Sequence, residues 1–223
     1  MARLLRGGGA PACRVEAWNL MDSKQLEDFH CANAIAIALD PRGHLLALVE
    51  DGPMARVEAW DIDNTSLHWT ANLVFKASLK VGTLLAFSAD GSRLIVGGDK
   101  NAIVLDAASG AAVGPPLDFG AGLANVALDA AGRRAAIALD NRTVVLADAE
   151  SGARLRTLPF ASDSVGYGGL AFSEDGQQIV AAFGDSNVNN PRVWKWFVDP
   201  EALGKGLSFR LAPILAADGA ASN

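Results

Sequence analysis

The sequence predicts an all-β fold of four-stranded antiparallel sheets set around one axis as the blades of a propeller. Three observations point there. Segments ending in a turn glycine recur as Ala38-Leu-Asp-Pro-Arg-Gly43, Phe87-Ser-Ala-Asp-Gly91, Leu128-Asp-Ala-Ala-Gly132 and Phe172-Ser-Glu-Asp-Gly176. An aspartate follows each glycine by 8 or 9 residues, at Asp51, Asp99, Asp140 and Asp185. Helical periodicity is absent apart from one turn near Pro200-Glu-Ala-Leu203. A unit that repeats every 44 residues or so has the length of one four-stranded blade.

Residue type gives the order of strands within a unit. The first strand is a run of small and apolar residues, such as Ile35-Ala-Ile-Ala-Leu39. An Asp-Gly-type turn follows, which between two β-prone runs is the strongest short-range hairpin signal. The second strand reads Arg93-Leu-Ile-Val-Gly97 in one unit and Ala135-Ala-Ile-Ala-Leu139 in another, and the repeated aspartate closes it. The third strand comes as Val57-Glu-Ala-Trp-Asp61, Ala102-Ile-Val-Leu-Asp106, Thr143-Val-Val-Leu-Ala-Asp148 and Val193-Trp-Lys-Trp196. A polar turn, clearest in Ala108-Ser-Gly110 and Glu150-Ser-Gly152, leads to a shorter fourth strand.

The two ends of the chain are in phase. Arg14-Val-Glu-Ala-Trp18 is identical to Arg56-Val-Glu-Ala-Trp60, an offset of 42 that also sets Pro11 on Pro53 and Leu4 on Leu46. Near the other end, Ile214-Leu-Ala-Ala-Asp-Gly219 echoes Leu85-Ala-Phe-Ser-Ala-Asp-Gly91. The expectation is a single domain, 1–223, of five blades closed by N- and C-terminal strands that share one blade. The units then run about 1–30 with 211–223, 31–77, 78–120, 121–162 and 163–210. Such sharing leaves no open sheet edge. The alternative is a fragment of a larger propeller, from a multidomain bacterial signalling protein.

Composition narrows the function. Nineteen basic against 25 acidic side chains give a formal charge of −6. A nucleic-acid partner, which needs a basic face, is therefore not expected. No apolar run reaches the roughly 18 residues that cross a bilayer. The N-terminus follows two arginines with Gly7-Gly-Gly9, where a signal peptide needs an apolar core. A cytoplasmic protein without membrane association is expected. The two cysteines, Cys13 and Cys31, are too few for a disulfide framework and are read as free thiols.

The repeat resembles the tryptophan-aspartate (WD) repeat in its looser bacterial form. The resemblance rests on Phe-Ser-x-Asp-Gly at 87–91 and 172–176, Trp60-Asp61 and Leu105-Asp-Ala-Ala-Ser-Gly110. The family often has a histidine 13 residues before the hairpin glycine, and His30 stands there relative to Gly43. It implies a structural network of His30, Asp51 and Trp60. In later repeats the histidine position is Ser78, Phe119 and Asp163, and the tryptophan position is Leu105 and Ala147. The resemblance also implies a rigid platform that binds other proteins, usually without catalysis.

Residues that could carry chemistry have plainer roles. Asp51, Asp99, Asp140 and Asp185 recur in every unit, as turn carboxylates that accept backbone N–H bonds do. A metal or catalytic site would be a single departure from the repeat. Neither His44 nor His68 has a nucleophile elbow or a metal-binding pattern beside it. Glycosidases on propellers need paired carboxylates around the central cavity. The innermost strands, 34–39, 84–88, 123–128 and 168–173, contain no acidic residue. No cofactor motif is present, and none is expected.

One stretch breaks the symmetry. Gly184-Asp-Ser-Asn-Val-Asn-Asn-Pro-Arg192 lengthens the loop between second and third strands and feeds Trp194 and Trp196. Long loops on a rigid ring commonly carry binding. The expected partner surface is the face holding this loop and the connections between units, with Lys80, Tyr167, Asn189, Arg192 and Trp194. The plainer reading of the loop is an insertion, with Trp194 or Trp196 packed between blades. The expected function is a non-catalytic protein–protein interaction scaffold. The alternative from another class is an enzyme or small-ligand binder that uses the central channel.

Overall fold

The structure, a computed structural model, describes residues 2–6, 13–19, 24–25, 29–31, 34–50, 54–75, 84–159, 169–183 and 192–199. Every element among them is a strand, and the strands form four four-stranded antiparallel sheets and one of three strands. The first sheet holds β1 (Ala2–Arg6), β2 (Cys13–Asn19), β3 (Lys24–Gln25) and β4 (Phe29–Cys31). The second is β5 (Ala34–Leu39), β6 (Leu45–Glu50), β7 (Arg56–Asp61) and β8 (Ser66–Asn72). The third is β9 (Leu85–Phe87), β10 (Arg93–Gly97), β11 (Asn101–Asp106) and β12 (Leu117–Asp118). The fourth is β13 (Leu123–Leu128), β14 (Arg134–Leu139), β15 (Thr143–Asp148) and β16 (Arg154–Pro159). The fifth is β17 (Leu170–Phe172), β18 (Gln178–Phe183) and β19 (Arg192–Phe197).

In the second to fifth sheets the hairpin between first and second strands is locked by one polar residue three positions before the turn glycine, buried in all but the fifth, where Ser173 is half-buried. Asp40 Oδ1 accepts the N–H groups of His44 and Leu45 at 2.7 and 2.8 Å. Asp129 Oδ1 accepts those of Arg133 and Arg134 at 2.8 and 3.2 Å. In the Phe-Ser-x-Asp-Gly units a serine does this work. Ser88 Oγ accepts the Arg93 N–H at 3.0 Å and donates to Asp90, and Ser173 Oγ does the same with Gln178 at 2.9 Å and Asp175. The glycine is needed because the backbone there is left-handed, with φ of +79°, +71°, +66° and +65° at Gly43, Gly91, Gly132 and Gly176. Burial forces these bonds: Ser88 is fully buried and Asp129 nearly so, and an unpaired polar group there would cost about 1–3 kcal/mol.

Strand alternation then gives the second, third and fourth sheets two apolar faces each. The second and third sheets meet through Ala47, Val49 and Val57 against Leu94, Val96, Ile103 and Leu105. The third meets the fourth through Ile95, Ala102 and Val104 against Ala135, Ile137, Val145 and Ala147. The fourth meets the fifth through Ala136, Ala138, Val144 and Leu146 against Ile179 and Ala181. Val15 of the first sheet packs with Leu46 and Leu48 of the second. The inner strands β5, β9, β13 and β17 stand side by side, and β1 packs on β5 as β10 does on β13 and β14 on β17. The arrangement is propeller-like.

One sequence correspondence is corrected. The offset of 42 holds between β2 and β7 but not for β1. Leu4 pairs with Val15, whose counterpart Val57 pairs with Val49, so Leu4 takes the place of Val49 and not that of Leu46. Register is set by cross-strand pairing, and this one puts Arg3 opposite Glu16.

Candidate functional site

Two surfaces and one concavity are candidates. The loops after second strands and the connections between sheets lie on a common face. Asp99 O accepts the Leu123 N–H at 3.0 Å, Lys100 O accepts that of Phe119 at 3.1 Å, and Ala55 and Phe75 are bonded across the same end. Asp140 joins the two kinds of loop with its side chain. Its Oδ1 accepts the Gly122 N–H at 3.1 Å while its own N–H donates to Gly122 O at 2.9 Å. A Cβ on Gly122 would collide with the Asp140 carboxylate, so the glycine permits the approach. Asp51 and Asp185 lie outside the described residues.

Of the residues expected at a partner surface, Lys80, Tyr167 and Asn189 lie outside the described residues. Arg192 begins β19, on the side of the sheet where the long loop enters, and pairs with Phe183. Trp194 is half-buried on the face of the fifth sheet that packs on the fourth, stacked on Trp196 with ring centroids 6.4 Å apart. Its indole N–H is buried without a hydrogen-bond acceptor among the described residues. The expected network of His30, Asp51 and Trp60 is placed as far as this: His30 lies in β4 opposite Arg14, and the Trp60 indole donates to Glu58 at 3.0 Å. Glu58 is itself buried and paired with Arg56.

The opposite face carries the first-to-second and third-to-fourth strand turns, which tie neighbouring sheets together. Arg42 donates to Asp90 O at 3.3 Å, Asp90 N–H to Ala130 O at 2.9 Å, and Arg134 to Gly176 O at 3.0 Å. Outer strands add longer ties. The Trp69 indole donates to Ala107 O at 2.9 Å, and Arg156 donates to Val198 O at 3.2 Å, the equivalent carbonyl two sheets further on. Between the third and fourth sheets Gly114 lies directly against the carbonyls of Ala149 and Glu150, and Arg154 donates to Asp118 O at 2.8 Å. Residue type alone did not signal these ties. They connect positions about 40 residues apart, one repeat, and only the stacking of sheets brings them together.

The carboxylates on this face are held ionised by their turns. The Asn64 N–H holds Asp61 below the ordinary 3.8, and the Ser109 hydroxyl does so for Asp106. The Ser151 hydroxyl lowers Asp148, and the Ser173 hydroxyl lowers Asp175. For Asp90 desolvation opposes the shift, and the Ser92 N–H with the Ser88 and Ser92 hydroxyls overcomes it. These shifts arise from turn geometry and not from convergence on one point. Among the described residues no group of three histidine, cysteine or acidic side chains could hold a metal ion.

A concavity of about 320 Å³ lies between β9, β13 and β17. Its wall includes Ala86, Asn125, Val126, Leu128, Leu170 and Ala171, and none of its lining residues is titratable. Asn125 sits at a β-bulge, is 7% exposed, and accepts the Val126 N–H at 2.8 Å.

No known sequence family matches the chain, and no curated protein does. Among solved structures it is similar to a chain of hydrazine synthase from Kuenenia stuttgartiensis, with a TM-score of 0.57 and 16% identity. The likeness covers 74% of this chain and 46% of that one, so the chain spans less than half the length of that relative. In all, 1290 solved chains share a likeness of this kind, which makes it a statement about fold and not about activity. No helix among the described residues is long and apolar enough to cross a membrane, which says nothing of a β-barrel.

Proposed function

We propose that this chain is a non-catalytic scaffold for protein–protein interaction, built as a propeller of the WD-repeat-like type. The observation that supports the reading most is the central concavity. An enzyme or small-ligand binder acting there would need converging polar or charged groups, and the described wall offers apolar side chains, Phe87 and Phe172 among them, and one asparagine. The inter-sheet ties make a rigid frame on which loops can be displayed.

In this reading the ring has five blades closed by N- and C-terminal strands that share one blade; the C-terminal share, 211–223, lies outside the described residues. The position of β1 against β5, matching that of other second strands, supports it. The partner is a protein, bound on the face with Lys80, Tyr167, Asn189 and Arg192, while Trp194 anchors the base of that loop. Neither nucleic acid nor membrane is a partner, and the compartment is the cytoplasm. A second reading, part of a larger propeller, draws support from the outward face of the fifth sheet, where Val193 is 68% exposed.

The test is affinity capture with the wild-type chain and with N189A/R192A, which leaves the Trp194 packing in place. The expected outcome is loss of one or a few specific proteins at unchanged thermal stability. An identical captured set with both chains would sink the assigned surface.

A further inference from the structure

The sequence reads Cys13 and Cys31 as unconnected thiols, but the fold places them together. In the first sheet Cys13 of β2 stands directly opposite Cys31 of β4, in an antiparallel register continued by Arg14 with His30 and Val15 with Phe29. We infer that Cys13 and Cys31 are a redox-active pair that forms a reversible cross-strand disulfide, stapling the outer edge of the first sheet.

Opposite residues in antiparallel strands have Cα atoms about 4.5–5.5 Å apart. A disulfide spans Cα separations of about 4.4–6.8 Å. The spacing of opposite residues therefore falls within the range a disulfide spans. Opposite residues also share one face of the pleat, which the bond requires.

The place in the sheet gives the bond a consequence. The outer edge of β2 is covered by two short strands, β3 of two residues and β4 of three, with a one-residue register shift between them. Of the other outer strands, β8 and β16 have 7 and 6 residues and β12 has 2, but only in the first sheet is the outer pairing split between two strands. Short, interrupted pairing holds an edge strand weakly, and a covalent link between β2 and β4 replaces what the missing ladder does not supply. The loop it closes, residues 13–31, contains all of β3.

The reaction balances with oxidised glutathione as the oxidant. One protein thiolate attacks a sulfur of glutathione disulfide and expels one glutathione thiolate. The second protein thiolate then attacks the mixed disulfide and expels the other. Two protein thiols and one glutathione disulfide thus become one protein disulfide and two glutathione thiols. An excess of reduced glutathione runs the same steps backwards.

The wild-type chain tests this without any variant. It is equilibrated in oxidised or reduced glutathione, alkylated, digested with trypsin and examined by mass spectrometry. After oxidation, peptide 7–14 is expected joined to peptide 25–42, two hydrogens lighter than the separate thiol peptides, in a chain that stays monomeric by light scattering. Reduced glutathione returns both as alkylated peptides. The oxidised chain is expected to unfold roughly 5–10 °C higher than the reduced one. C13S and C31S should each remove that difference. Two freely alkylated cysteines after oxidation of the folded chain would overturn the pairing, as would a bond joining two chains. Equal unfolding temperatures for the two forms would overturn the stapling role.

Discussion

The fourth and fifth sheets are built from the same repeat, yet they differ in what covers them. In the fourth, Ala136 pairs with Leu146 and Ala138 with Val144, and all four are 0–2% exposed because the fifth sheet lies on them. The matching pairs in the fifth sheet are Val180 with Lys195 and Ala182 with Val193. There Val193 is 68% exposed and Lys195 is exposed, its ammonium 5.8 Å from the Phe197 ring centroid. A repeat position has no fixed burial of its own. Its environment is decided by whether another sheet follows.

The largest effect that sharpens this comparison is a charge in the covered sheet. V144D places a carboxylate where Val144 is fully buried with no cation opposite, and should cost about 4 kcal/mol or more, leaving little folded chain. Its counterpart V193D is the informative partner. If the ring closes over the fifth sheet as proposed, V193D should lower the unfolding midpoint by roughly 4–8 °C, the equivalent of about 2 kcal/mol in a domain of this size. A midpoint unchanged within about 0.5 kcal/mol would mean a free outer face and an open arc.

The smallest effect concerns the turns after third strands. Asp61, Asp106 and Asp148 end β7, β11 and β15, whereas Phe197 ends β19. The three carboxyls titrate below their ordinary 3.8 because their turns donate to the ionised form. A depressed folded-state value contributes stability that is present above the unfolded value and lost as pH falls through the folded one. Stability should therefore be flat from neutral pH to about pH 4 and decline below it. D106N/D148N should make that acid decline shallower, measured by urea unfolding at several pH values. An unchanged pH profile would show that these turns contribute nothing by ionisation.

Much of the scaffold was legible in residue order. The inner strand read as Leu123–Leu128 is β13 residue for residue, and Ala34–Leu39 is β5. The turns were legible because Gly, Asp and Ser act through bonds that span five residues or fewer, as Ser88 to Arg93 shows. The candidate surface was less so. Trp194 looks like a loop-borne contact in sequence, but alternation along β19 puts it with Trp196 on the face turned to the fourth sheet. Nothing local distinguishes that face from the one bearing Val193 and Lys195.

The sequence by itself determined the all-β class, the period of the repeat, the hairpin turns and the inner strands without acidic residues, because each depends on neighbours along the chain. Only the tertiary structure decided the rest. It set the register that brings Cys13 opposite Cys31, the reach of Trp69 and Arg156 to the next sheet, and the faces left uncovered. Those depend on pairing and stacking between residues about 20 to 40 positions apart, where a shift of one residue would exchange one face for the other.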